Sequence, residues 1–153
     1  MGATGSLYRI KKAELKRIIA KESFYQECEE MVDVDKRWEA IMYILSGGSL
    51  GSEPFVSLFM PKNIINPNDN KEWGEPYRYH NEEDIKMYNQ RLSEIPEGTI
   101  LERANVEKIN KGGMGYAQRE IDRDFIINEI KAIKTLFKNA EINGDLILGM
   151  IAY

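Results

Sequence analysis

One cysteine and one histidine in 153 residues are too few for much of the chemistry that small proteins carry out. A tetrahedral zinc site draws three or four ligands chiefly from His and Cys, and triad hydrolysis sets a histidine beside a nucleophile. Cys28 and His80 alone exclude a soft-metal site of that kind, so neither a metal nor a cofactor is expected. An internal disulfide is equally impossible, which suits a reducing compartment. Long apolar runs are missing too. FVSLFM and LILGMIAY are the longest, far short of the roughly 20 residues of a membrane helix. The opening MGATGSLYRIKK has no hydrophobic stretch of the secretory type. No membrane association is expected, and the cytoplasm is the expected location.

Phosphate-binding glycine patterns are also lacking. KGGMG, Lys111 to Gly115, is neither a GK[ST] loop nor GxGxxG opening a helix, so it reads as a turn. The net charge of −4 leaves no basic surplus for neutralising phosphates, and no nucleic-acid partner is expected. Arg9, Lys11, Lys12, Lys16, Arg17 and Lys21, set against Glu14, read as a solvated face. The carboxylate pairs Glu72 with Glu75 and Glu82 with Glu83 have structural explanations beside a loop and at a helix start.

What the chain does have is the composition of one ordinary globular domain spanning residues 1–153, with 42% hydrophobic and 30% charged residues. Asp33 to Ser46, DVDKRWEAIMYILS, is its organising stretch. Trp38, Ile41, Met42 and Leu45 fall at helical spacing while Ala40, Tyr43 and Ile44 make the other side apolar, which predicts a helix buried all round. Asp33 or Asp35 would cap it, and Gly47 and Gly48 would stop it.

Around this helix the chain order predicts a strand at Leu7 to Ile10 and a helix over Ala13 to Ala20. A second short helix from Ser23 would present Phe24, Cys28 and Met31 inward. Phe55 to Met60 reads as a strand, Pro61 to Pro76 as a long irregular segment and Tyr77 to His80 as a short strand. Asn81, followed by three acids, starts a helix to about Ser93 that buries Ile85, Tyr88 and Leu92 and is stopped by Pro96. Ile100, Leu101, Ala104 and Val106 allow a short helix. The spacing of Ile126, Ile130, Ile133, Phe137 and Ala140 predicts a long amphipathic helix that ends at Asn143 and Gly144. The apolar run Leu146 to Ala152 predicts a strand covered on both faces. Few strands among clustered helices make the fold class α+β, with a small, mostly antiparallel or mixed sheet and the C-terminal strand at its centre.

The binding candidates are Trp73, Tyr77, Arg78 and His80, together with Tyr79. Aromatic residues and arginine dominate interface hot spots, and these follow a long polar segment. In the plainer alternative, the tyrosines alternate inward on a strand and Trp73 lids the core.

Four stretches taken together, MGATGSLYRI, DVDKRWEAIMYILSGG, PYRYHNEEDI and KAIKTLFKNAEINGDLILGMIAY, resemble the YfbM-like family of bacterial domains of unknown function. The resemblance implies a small cytosolic α+β domain without a settled activity. Asp35, Lys36, Trp38 and Arg78 match its motifs. Relatives commonly carry histidines where this chain has Glu39 and Met42, so a histidine-dependent activity does not carry over. The expected function is a non-enzymatic interaction with another protein, immunity-like or regulatory. The alternative is a small-molecule binder, or an enzyme using carboxylates and arginine, with a pocket near residues 61–80.

Overall fold

A five-stranded antiparallel sheet with the order β2-β1-β5-β4-β3 carries the molecule. Its strands are β1 (Thr4–Ile10), β2 (Glu30–Asp35), β3 (Asn63–Ile65), β4 (Tyr77–His80) and β5 (Leu146–Ala152). Four helices accompany them among the described residues: α1 (Trp38–Leu45), α2 (Glu82–Ser93), α3 (Glu97–Arg103) and α4 (Arg123–Asn143). The computed structural model describes residues 3–15, 28–47, 52–65, 77–105, 107, 109 and 123–152. Trp73, the KGGMG turn, Glu72, Glu75 and most of the two helices expected between Ala13 and Met31 lie outside them.

The fold is α+β with β5 in the middle of the sheet, as its unbroken apolar run implies. Ile147 faces the main core, while Leu146 and Leu148 face a smaller cluster on the other side. Such two-sided burial is what a strand without polar alternation requires.

The main core lies between the sheet and the helices. α4 lays Ile126, Ile130, Ile133 and Phe137 against the sheet, all fully buried, each contributing about 2 kcal/mol by leaving water. α2 buries Ile85, Tyr88 and Leu92 beside it. Asn81 and Asp84 hold the α2 start through a reciprocal capping box. In α1, Ala40 to Leu45 are buried on every side. Gly47 and Gly144 stop α1 and α4 with φ of 81° and 68°, a left-handed backbone that glycine adopts without strain.

Four expectations are corrected. Asp33 to Asp35 end strand β2 and do not cap α1, which starts at Trp38 after Arg37 with no side-chain cap. EMVDVD alternates apolar and polar with a period of two, and pairing with β1 buries Val32 and Val34 while leaving Asp33 and Asp35 outside. For the same reason Met31 does not point inward from a helix. It lies opposite Tyr8 on the sheet's second face and is 50% exposed.

Phe55 to Met60 is not a strand either. Phe55, Leu58 and Phe59, all buried, are spaced by three and four residues, and the chain meets that spacing with a 3-10 turn at Phe55–Ser57. Within the stretch expected to be irregular, Asn63–Ile65 joins the sheet as its edge strand.

Candidate functional site

One row of side chains crosses the whole sheet on its helix-bearing face: Ile64, Arg78, Gly149, Leu7 and Val32, aligned by strand register. Leu7 and Val32 belong to the core, and Ile64, at the β3 edge, is 40% exposed. Arg78 stands between them, half-buried. Its Nη1 donates to the Pro61 carbonyl at 3.3 Å, and among the described residues it has no carboxylate partner. Gly149 makes this arrangement possible. A Cβ there would stand 2.5 Å from Pro61 Cδ and 2.9 Å from the Phe59 carbonyl oxygen, so a bare backbone lets Pro61 pack down and bring its carbonyl to Arg78. Met60, 46% exposed, precedes Pro61. Met60 and Ile64 thus offer apolar surface beside a cation that has no counter-ion among the described residues.

The other sequence candidates do not gather there. β4 alternates, so Tyr77 and Tyr79 face the second side of the sheet and pack against the smaller cluster of Tyr8, Ile10, Leu146 and Leu148. His80 shares the face of Arg78 but is turned into the core. Its ring meets Tyr88 edge-on at 4.7 Å and lies 5.7 Å from Phe137. Nε2 is 2.8 Å from the Leu58 carbonyl oxygen, and burial pushes the imidazole pKa down to about 4. A neutral ring holding a backbone carbonyl is a packing element. Trp73 lies outside the described residues. Cys28 is half-buried against the smaller cluster, where burial pushes its thiol pKa up.

At the opposite edge a second polar cluster forms, which spacing did not single out. Arg37, in the β2–α1 junction, directs both Nε and Nη2 to Glu129 Oε1, each at 2.6 Å, and lies 4.5 Å over the Phe125 ring. Glu129 occupies the buried face of α4 between Ile126 and Ile130 and is 8% exposed. Burial pushes its carboxyl pKa up, Arg37 pulls it down, and Asp33 and Asp35 push it up again. A signal was available: Glu129 is an acid on the apolar stripe of a helix, where charged residues occur only with a partner. Asp35 adds a left-handed backbone with φ of 50°, and its N–H donates to Asp33 Oδ1 at 2.8 Å.

Trp38 serves the fold. Its Nε1 donates to the Ala3 carbonyl at 3.0 Å, and its side chain packs so closely on Gly5 that a Cβ there would stand 2.5 Å from Trp38 Cβ.

Residues 1–149 match the model of a domain of unknown function, DUF1877. The chain belongs to the DUF1877 family. Its fold is similar to that of YfbM from Escherichia coli, itself described as a protein of unknown function, with a TM-score of 0.67 over 98% of this chain and 99% of that one. At 11% identity the likeness is one of fold alone. No curated protein matches. The DUF1877 description carries no activity, so function has to be argued from side chains. Among the described residues of this DUF1877 chain, no cluster of three His, Cys, Asp or Glu side chains has the arrangement to hold a metal ion, and no helix is long and apolar enough to cross a membrane.

Proposed function

We propose that this DUF1877 chain is a non-enzymatic, cytoplasmic protein-interaction domain, immunity-like or regulatory, that docks its partner where β3 and β4 meet Met60 and Pro61. The observation that carries this reading is Arg78: a half-buried guanidinium whose polar contact is one carbonyl at 3.3 Å and which faces no carboxylate among the described residues. Charged groups withdrawn from water are normally paired, and arginine suits carboxylates because its planar fork gives two parallel donors. Met60 and Ile64 add exposed apolar surface beside it. Methionine, arginine and exposed aliphatic area are the makings of an interface core. The partner supplies a carboxylate set among apolar side chains.

Affinity capture from the native host, with products of neighbouring genes included as candidates, tests this. Wild type and Lys138→Glu, a charge control on the exposed side of α4, are expected to retain the same partner, and Arg78→Glu to lose it. Retention by Arg78→Glu sinks the reading. A small-molecule ligand near residues 61–80 would use the same arginine. A melting-temperature rise with small carboxylates in wild type but not in Arg78→Glu, without a retained protein, replaces the docking reading with that one.

A further inference from the structure

We propose that the partner docks as an extended acidic strand, which adds to the outer edge of β3 and sets a glutamate in the sheet row of Ile64 and Arg78. This inference rests on the docking reading above and names how the partner is held. The sheet order ends at β3, whose residues Asn63–Ile65 pair with β4 and, among the described residues, with nothing on their outer side. Such an edge presents backbone N–H and C=O groups to an incoming strand. The two edges of the sheet differ. β2 exposes the carboxylates of Asp33 and Asp35, and its register against β1 shifts at Gly5 and Ser6, both of which discourage further strand pairing. β3 has no charged residue, and its Ile64 is 40% exposed. Short pairings are marginal by themselves, but Asn63 fixes this one. Its Nδ2 donates to the Tyr79 carbonyl at 3.1 Å and to Asp84 Oδ2 at 2.7 Å, the carboxylate that closes the α2 capping box. A receiving edge that is already ordered costs less to bind.

Register says what the occupant must carry. Ile64 stands opposite Arg78, and Arg78 opposite Gly149, so a strand beside β3 puts one side chain in line with both. Strands lie about 4.8 Å apart, which places that residue about 10 Å from Arg78 along the row, with Ile64 between them. An arginine and a glutamate side chain leaning toward each other close that distance, and their methylenes cover the isoleucine. Arg78 has donors to give. Among the described residues its polar contact is Nη1 to the Pro61 carbonyl at 3.3 Å, and a guanidinium fork is made for a carboxylate. Charge also selects among occupants. A second copy pairing through its own β3 would bring another arginine into the row and no carboxylate, whereas an acidic strand supplies the missing counter-ion.

Titration of the isotope-labelled full chain with a short peptide, threonine and valine alternating around one central glutamate, tests the proposal. The readouts are the backbone N–H resonances of Asn63, Ile64 and Ile65 and the Arg78 Nε–H. All are expected to shift saturably. Glutamine in place of the peptide's glutamate, or Arg78→Gln in the protein, is expected to weaken binding about tenfold. Ile64→Glu, which sets a carboxylate opposite Arg78 within the chain itself, is expected to weaken it about tenfold as well. Two further peptides carry N-methyl groups on one or the other alternate set of backbone amides. One set is expected to abolish binding and the other to leave it intact, because alternate N–H groups point to opposite edges of a strand. A shift of the Arg78 Nε–H with none at Asn63–Ile65, or binding that tolerates both N-methylated sets, overturns strand addition and leaves carboxylate docking at Arg78 standing. Binding at β3 that is indifferent to both glutamine replacements overturns the pairing with Arg78. Concentration-dependent shifts of Asn63–Ile65 without peptide give the edge to a second copy and overturn the proposal. No saturable shift with the peptide overturns it too, while affinity capture with Arg78→Glu judges the docking reading separately.

Discussion

Two arginines occupy the two ends of the same sheet in opposite circumstances. Arg37 lies in the β2–α1 junction against a buried glutamate, with two further carboxylates acting on the pair. Arg78 reaches, on the β3 side, a single backbone carbonyl. Both are half-buried, so the cost of taking a guanidinium out of water is comparable, and among the described residues only Arg37 has an ion pair to offset it. An arginine whose partner comes from its own chain is a structural fixture. Arg78 has no carboxylate partner among the described residues, and the proposed docking role rests on that difference.

The most disruptive way to probe this contrast is to remove Arg37. Arg37→Met is expected to cost about 3 kcal/mol at neutral pH, because it leaves the Glu129 carboxylate buried and unpaired. Burial already pushes that carboxyl pKa up, and losing Arg37 raises it further. The folded variant therefore binds a proton that the unfolded chain has already released. Its deficit is smallest in acid and grows as pH rises through and above the ordinary glutamate range, which urea unfolding at several pH values would reveal. A deficit that does not vary with pH would mean that Glu129 is not the group left unpaired.

His80 comes next. Its folded pKa of about 4 lies below the unfolded value of 6.5, so between these values the unfolded state binds more protons. Stability is then full above pH 6.5 and is lost as pH falls toward about 4, by about 3 kcal/mol in all. His80→Gln should flatten that part of the profile relative to wild type. Parallel profiles would show that another group titrates there.

Gly149→Ala tests the support of Arg78. The added methyl would strike Pro61 and the Phe59 carbonyl, and overpacking of this kind costs about 1–3 kcal/mol. A chemical denaturation midpoint lower at unchanged slope is the expected result. An unshifted midpoint would mean that Pro61 moves aside freely. Smallest of all is Arg78→Met, expected to alter stability by less than about 0.5 kcal/mol, since the variant keeps the stem and loses only one long contact to a carbonyl. If Arg78→Met and Arg37→Met prove equally damaging, the distinction between the two arginines disappears.

Local pattern was enough for much of the scaffold. A period of three to four residues in α4, the Asn81 capping box and the unbroken apolar run of β5 each say what they are within a single window, because short-range sterics and capping decide them. Arg78 drew attention by composition, as an arginine among Trp73, Tyr77 and Tyr79 after a long polar segment. Other features depend on partners far along the chain. EMVDV is a strand because β1 offers an edge to it, and without that edge Asp33 passes for a helix cap. FVSLFM bends because Phe55, Leu58 and Phe59 are all drawn into one core. Glu129 is paired with Arg37, 92 residues away, and that Arg78 has no carboxylate partner among the described residues is equally a matter of contacts from distant segments. The chain's periodicities settle which segments are regular, whereas burial and charge pairing act through space, so only the folded arrangement decides which polar groups are satisfied and which are left to meet something else.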